Sequence, residues 1–218
     1  MRDAPRNVRA GALLVALNVG LLAVAVFVVM KTGVIPTNGE QLVEYEKSSF
    51  EYLEQPTDIV VGSTPQPGGE TYVLYTNYAC PYCATVHAAL SAARNDGQST
   101  LPQPNVVRLH FLENDSGRFS TQETVSSYML RLWREDPAAY ASLESELFEH
   151  QNEWTSLDES QLLSWLNGRS GRSWEAGDLE PVRSELLESQ EESPGDLTEV
   201  PSLYSNGKRH SGLVYALV

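Results

Sequence analysis

Two cysteines in 218 residues are too few for a disulfide framework, and too few to supply four thiolates to a zinc ion. Whatever the pair does, it does alone. Basic side chains are also scarce, 15 against 29 acidic ones, giving a net charge of -14 and a pI near 4.6. Proteins that grip a phosphate backbone carry a positive footprint, so nucleic acid is not an expected partner. Lysine is the rarer cation, 3 against 12 arginines, and no internal repeat is visible. The length allows one domain of ordinary size plus an appendage.

One long hydrophobic run is present. Residues 10–30, AGALLVALNVGLLAVAVFVVM, hold 21 positions without a charge. At about 1.5 Å per residue such a helix spans the ~30 Å hydrocarbon core of a bilayer. Arg2, Arg6 and Arg9 precede it and only Lys31 follows closely, so the positive-inside bias puts residues 1–9 in the cytoplasm as a short tail. Residues beyond the anchor then lie outside the cell. A cleaved signal peptide is the alternative, since Ala23-Val24-Ala25 has the small-x-small form of a cleavage site. Cleavage there would leave residues 26–30 as a greasy new terminus, which fits an uncleaved anchor better. Ala12, Ala16 and Gly20, four apart on one helix face, offer a weak signal for an anchor-mediated homodimer.

Beyond residue 31 the chain carries 11 basic against 28 acidic side chains, and 17 of those acids fall between Glu135 and Glu199. They are expected to form solvated helix faces, with a docking surface as the alternative. The acidity also disfavours contact with anionic lipid, leaving the anchor as the membrane contact.

After a break at Pro36-Thr37-Asn38-Gly39, residues 31–56 are expected to be a linker or spacer, with a helix over 40–54 where Leu42, Val43, Tyr45, Phe50 and Leu53 interleave with glutamates. Residues 58–61 form a short strand candidate, and 70–77 a second, dense in β-branched and aromatic residues as in a strand buried on both faces. Residues 80–95 have helical spacing at Val86, Leu90 and Ala93, with Pro81 near the start and Asp96-Gly97 at the end. Residues 105–112 predict a third strand. Residues 120–192 predict three to five helices, punctuated by Pro137, Gly168, Gly171, Gly177 and Pro181. Trp133, Trp154, Trp165 and Trp174 all lie there and are expected to fill core. Residues 200–204, the turn Asn206-Gly207 and residues 208–211 predict a β-hairpin.

The chemistry lies at Cys80-Pro81-Tyr82-Cys83, where a hydrophobic strand meets a helix start. Unpaired N–H groups and the helix dipole there stabilise an anion on the first sulfur, so Cys80 is expected to be the low-pKa nucleophile. Cys83, two residues further on, can reach back and close a disulfide as the buried resolving thiol. Pro81 and Tyr82 would tune the thiolate. Three other readings are open: half of a zinc site, a structural bridge, and an inert pair. A closed zinc site needs more ligands than lie near, since of four histidines only His87 is close, one helical turn after Cys83. A bridge over so short a loop would stabilise little.

The run Tyr75-Thr76-Asn77-Tyr78-Ala79-Cys80-Pro81-Tyr82-Cys83, the helical stretch near 120–192, and Glu199-Val200-Pro201-Ser202-Leu203-Tyr204 followed by Asn206-Gly207-Lys208 resemble the DsbA-like thiol-disulfide oxidoreductases of the thioredoxin superfamily. The likeness spans about residues 57–212 and is greatest to membrane-anchored actinobacterial versions. It implies an α/β fold, with a thioredoxin-like mixed β-sheet, a helical insertion between the third and fourth strands, and one transmembrane helix ahead of it. The domain is expected over residues 57–218. Pro201 matches the family's cis-proline, and with Val200 it would lie opposite the cysteines and pair with an extended substrate segment; a strand-start proline is the plain alternative. The resemblance implies exported cysteine-containing proteins as substrates, a membrane partner that reoxidises the pair, and no cofactor or metal.

Two departures stand out. Many family members carry a buried acid six residues before the first cysteine as a proton relay, whereas Leu74 stands there and Glu70 is too early to replace it. The sequence given ends at Val218, six residues past Gly212, where the family adds a long closing helix, so residues 40–54 are expected to cover one sheet face. The direction of electron flow is open. Pro-Tyr between the cysteines also resembles glutaredoxins, of intermediate potential, while the helical insertion and Val200 favour a disulfide-introducing oxidant. The alternatives are a thiol reductase, for example in cytochrome c maturation, and a non-redox chaperone or adaptor whose function would survive loss of both cysteines.

Overall fold

The computed structural model describes residues 44–66, 68–96, 103–112 and 120–211. The apolar run at 10–30, the tail expected at 1–9 and the first part of the expected linker, residues 31–43, lie outside them. Among the described residues no helix is long and apolar enough to cross a membrane.

The described chain runs β1 (Glu44–Lys47), β2 (Ile59–Val60), β3 (Val73–Thr76), α1 (Pro81–Asp96), β4 (Val106–Leu109), then helices α2 (Gln122–Glu135), α3 (Pro137–Glu149), α4 (Gln151–Trp154), α5 (Glu159–Ser170) and α6 (Ala176–Gln190), and the hairpin β5 (Ser202–Ser205) and β6 (Lys208–Ser211). The strands form one mixed sheet in the order β1-β6-β5-β3-β4-β2. β3 and β4 are parallel, joined through α1, and every other neighbouring pair is antiparallel. The insertion of helices falls between β4 and β5, one strand later than expected because β1 adds to the count.

Side chains alternate across the sheet as the strand period of two requires. Leu74, Val107 and Leu203 join a large core with Val86 and Leu90 of α1 and the buried residues of the helical insertion. Val73, Tyr75, Val106 and Tyr204 join a smaller cluster with Phe50, Cys80, Cys83 and Val200. Central β3 is buried along its whole length, which explains its apolar run without polar alternation.

Of the helix expected over residues 40–54, residues 40–43 lie outside the described residues and 44–54 are not helical. Glu44–Lys47 is instead a strand on β6, with Glu44 opposite Ser211 and Lys47 opposite Lys208, and residues 48–54 are non-helical. Pairing with the hairpin edge overrides the helical spacing of the apolar residues. The chain then crosses the sheet end: Ser48 N–H donates to the Gly207 carbonyl at 3.1 Å, Gly207 N–H to the Phe50 carbonyl at 2.8 Å, and Tyr52 N–H to Asn206 Oδ1 at 2.9 Å. Phe50 packs on Tyr204 and Tyr75, so this segment does cover sheet surface, though not as a helix.

Helix ends follow local chemistry. Asp158 and Gln161 form a capping box at α5, Gly171 ends it at φ 69°, and Gly207 takes φ 72° in the hairpin turn. Asp136 caps α3 by accepting from Ala139 N–H at 3.0 Å, with Pro137 at the first helical position. Pro181, expected as a break, lies inside α6, where burial of Leu179, Val182 and Leu186 carries the helix through one missing hydrogen bond. Of the four tryptophans, Trp154 is fully buried and the others flank the core partly exposed, Trp165 beneath Arg169 at 3.7 Å and Trp174 beneath Arg131 at 4.4 Å. Ion pairs such as Arg134–Glu185, Arg172–Asp136 and Arg183–Glu159 link the helix faces.

Beneath β4 sits a buried ion pair. Arg108 Nε donates to Asp58 Oδ1 at 2.5 Å, Nη2 to Asp58 Oδ2 at 3.2 Å and to the Leu53 carbonyl at 2.5 Å, and Nη1 to the Tyr75 hydroxyl at 3.0 Å. Asp58 also accepts from the Tyr52 hydroxyl and the Gln55 N–H. Both side chains are about as inaccessible as the core, at 5% and 3% exposure. Removing one partner would leave an uncompensated buried charge. Arg108→Met is therefore expected to cost about 3 to 5 kcal/mol in denaturant unfolding, and adding Asp58→Leu to recover much of it. A loss under about 1 kcal/mol for the single variant would show the pair to be peripheral.

Candidate redox site

The site begins where β3 runs out. His110 N–H donates to the Thr76 carbonyl at 2.8 Å, and the chain then leaves the sheet inside the core, where its backbone polar groups need partners. Asn77 supplies several. Its Oδ1 accepts from Ala79 N–H at 2.8 Å and its carbonyl from Cys80 N–H at 3.1 Å, forming the tight turn into α1. Its Nδ2 donates to the His110 carbonyl and to Gln122 Oε1, both at 2.8 Å. Gln151, 71 residues beyond Cys80, donates from Nε2 to the Tyr78 carbonyl at 2.7 Å and the Cys80 carbonyl at 2.9 Å. Side chains of α2 and α4 thus fix the loop that carries the first cysteine.

Cys80 and Cys83 are both thiols here, at 4% and 1% exposure. Cys80 immediately precedes α1, and its Sγ lies 3.6 Å from the Val200 carbonyl. The Val200-Pro201 peptide is cis. The structure therefore brings Val200 and Pro201, both buried, against Cys80 across 120 residues of sequence. Cys83 Sγ accepts from Asn77 N–H at 3.4 Å. Burial pushes the Cys83 thiol well above its ordinary pKa, and the adjacent Cys80 sulfur adds to this. The Thr76 hydroxyl and the Asn77 N–H offset it only in part.

Pro81 and Tyr82 cover neither sulfur from within the core; both are exposed, Tyr82 at 61%. Leu74 is buried and apolar on β3. Among the described residues no group of three or more His, Cys, Asp and Glu side chains is arranged to hold a metal ion. His87 instead packs on Phe148, ring centroids 4.5 Å apart, with Nε2 3.4 Å from Glu144 Oε2.

No family model and no curated protein matches the chain by sequence. Solved structures do match by shape. The MdbA protein of Corynebacterium matruchotii, a thiol-disulfide oxidoreductase, superposes with a TM-score of 0.52 at 14% identity, over 78% of this chain and 90% of that one. DsbA of Mycobacterium tuberculosis in its reduced form gives 0.50 at 11% identity, over 71% and 83% of the two chains. The chain has the fold of the DsbA-like thiol-disulfide oxidoreductases. A periplasmic thioredoxin-like protein of Salmonella enterica serovar Typhimurium likewise gives 0.50 at 16% identity, over 73% and 83%.

Sequence reading located the cysteines, Val200 and Pro201. It did not find Gln151 or Gln122, whose roles rest on distant contacts that no local spacing announces. Asn77 lies three residues before Cys80, where an Asn suited to an Asx turn is a usable local signal.

Two measurements check this electrostatics. Iodoacetamide at neutral pH is expected to place a single adduct, on Cys80, in the folded protein and two after unfolding, read by mass spectrometry; two adducts on folded protein would contradict a protonated, buried Cys83. Burial also holds protons on Tyr78 and Tyr140, whose pKa values lie well above the ordinary tyrosine value. With Cys83, these groups bind protons in the folded chain that the unfolded chain releases above about pH 8.5 for Cys and 10 for Tyr. The contribution of these groups to folding stability is therefore full below about pH 8.5 and is lost as pH rises beyond it, which denaturant midpoints taken from about pH 8 upward will show.

Proposed function

We propose that this protein is a membrane-anchored, extracytoplasmic thiol-disulfide oxidoreductase that introduces disulfide bonds into exported proteins. The observation that carries the redox reading is the placement of Cys80 Sγ 3.6 Å from the carbonyl of Val200, at the start of α1, with Cys83 buried behind it. A helix N-terminus favours the thiolate form of an attacking cysteine, and exchange needs a partner sulfur close by; this arrangement offers both. The resemblance in sequence and the shared fold support it.

In the forward direction a substrate thiolate attacks Cys80 Sγ of the Cys80–Cys83 disulfide, that bond breaks, and Cys83 leaves with the electron pair. A second substrate thiolate then attacks the substrate sulfur of the mixed disulfide and releases Cys80. The substrate gains a disulfide, the protein becomes a dithiol, and a membrane partner able to accept two electrons restores the starting state. Val200 and Pro201 offer backbone beside Cys80 against which an extended substrate segment can pair, and exposed Tyr82 offers a flat apolar face beside it. The uncharged run at 10–30 is the anchor in this reading, with residues 1–9 cytoplasmic.

The deciding measurement is the equilibrium potential of the cysteine couple in the detergent-solubilised protein, titrated against glutathione. A value of about -120 to -180 mV marks an oxidant, whereas one near about -270 mV marks a reductant and reverses the proposed direction. Cys80→Ser is expected to abolish disulfide transfer to a reduced model protein, and Cys83→Ser to trap the mixed disulfide. Undiminished transfer by Cys80→Ser would remove the cysteine pair from the mechanism.

A further inference from the structure

The exchange cycle leaves one proton unassigned. When Cys83 attacks it must lose a proton, and when it leaves it must regain one, yet it is 1% exposed and β3 offers it only the apolar Leu74 and the Thr76 hydroxyl, neither an acid nor a base at neutral pH. Any carrier must come from another element.

A cavity of about 50 Å³ opens against Cys83. Leu74, Thr76, Leu90, Val107 and Phe148 give it apolar and hydroxyl walls, and its titratable or charged lining is Cys83, His87, Arg94 and Glu144. That volume has room for water, and the lining offers polar partners for it. His87 lies four residues after Cys83 on α1, hence on the same face one turn along. Glu144 reaches in from α3, 3.4 Å from His87 Nε2, and accepts a 2.5 Å hydrogen bond from the Tyr140 hydroxyl, which is itself 3.1 Å from the Tyr78 hydroxyl. Tyr78 and Tyr140 are fully enclosed and keep their protons, so they hold the carboxylate without competing for the exchanged one. His87 and Glu144 are only partly enclosed, at 23% and 16% exposure, which gives the pair access to bulk solvent.

We propose that His87 and Glu144 together carry the proton of Cys83, through the cavity that all three line. The inference rests on the redox reading above. In the resolving step the Cys83 thiol gives its proton to the pair, the resulting thiolate attacks Cys80 Sγ of a mixed disulfide, the Cys80–Cys83 bond forms, and the partner sulfur leaves as a thiolate that is protonated by solvent. In the reverse step the pair returns the proton to Cys83 as it leaves. Groups facing the pair are Tyr140, bonded to Glu144 and in turn to Tyr78, and Arg94 at the cavity wall, one turn beyond Leu90 on α1.

The test uses the full-length reduced protein mixed with oxidised glutathione in stopped flow, which separates formation of the Cys80–glutathione mixed disulfide from its resolution by Cys83. Glu144→Gln and His87→Gln are expected to slow resolution by about a hundredfold at neutral pH, the lower end of what a positioned acid–base group contributes. The deficit should close as pH rises and hydroxide takes over, and Glu144→Asp should restore part of the rate. Ser91→Ala, which changes the cavity wall without touching a titratable group, should keep the original profile. Thermal unfolding of each variant checks that it folds. Resolution in both Gln variants with the original rate and pH profile would overturn the inference, as would slowing by the same factor at every pH. Exchange absent from the unsubstituted protein would instead overturn the redox reading, and this inference with it.

Discussion

The arrangement depends on how one short loop is made soluble in its own core. Between Thr76 and Pro81 the chain must leave a fully buried strand, turn, and start a helix without access to water, so each backbone N–H and C=O needs a partner from the protein. Asn77, Gln122 and Gln151 provide many of them. Because Gln122 and Gln151 belong to helices of the insertion, the same bonds that satisfy the loop also dock that insertion onto the sheet. Position of the first sulfur and docking of the helices are thus one constraint. Gln122 extends it by bonding both the N–H and the carbonyl of Leu112, fixing the chain just beyond β4 as well.

What the sequence made legible was local. The turn chemistry of Asn206-Gly207, the Pro at the start of α1, and the burial of β3 follow from residues within a few positions of one another. The cysteines announce themselves by spacing and Val200-Pro201 by its place before the hairpin. Where long-range pairing decides, local pattern misleads. Residues 44–54 interleave glutamates with apolar side chains at helical intervals, yet the open edge of β6 captures the first four as a strand, and Arg108 draws Asp58 and the Leu53 carbonyl down beneath β4. His87 was visible at one turn from Cys83. Glu144, which gives it meaning, stands 57 positions later and could not be read from spacing.

Electrostatics divides the molecule. Many acidic side chains of the helical insertion are exposed, and several pair with arginines, as Glu185 does with Arg134 and Glu159 with Arg183. Among the described residues two ionisable pairs reach inward: Arg108 with Asp58 on one side of the sheet, and Glu144 with His87, partly enclosed, beside α1. Each is held by tyrosine hydroxyls, Tyr52 and Tyr75 in the first case and Tyr140 in the second. A tyrosine hydroxyl can donate to a carboxylate, as Tyr52 and Tyr140 do, or accept from a guanidinium, as Tyr75 does, without adding a charge to desolvate, which suits it to steady an ion in a low-dielectric setting.

The sheet's two borders bear on how such a protein meets unfolded chains. One border is β1, four residues long and reading Glu-Tyr-Glu-Lys; the other is β2, only two residues long. Short and charged edges are poor templates for strand addition. A protein that handles extended polypeptides risks being extended by them, adding foreign strands until it aggregates. Blunting both borders lowers that hazard, and in the proposed function it leaves the backbone beside Val200, next to Cys80, for a substrate segment to pair with.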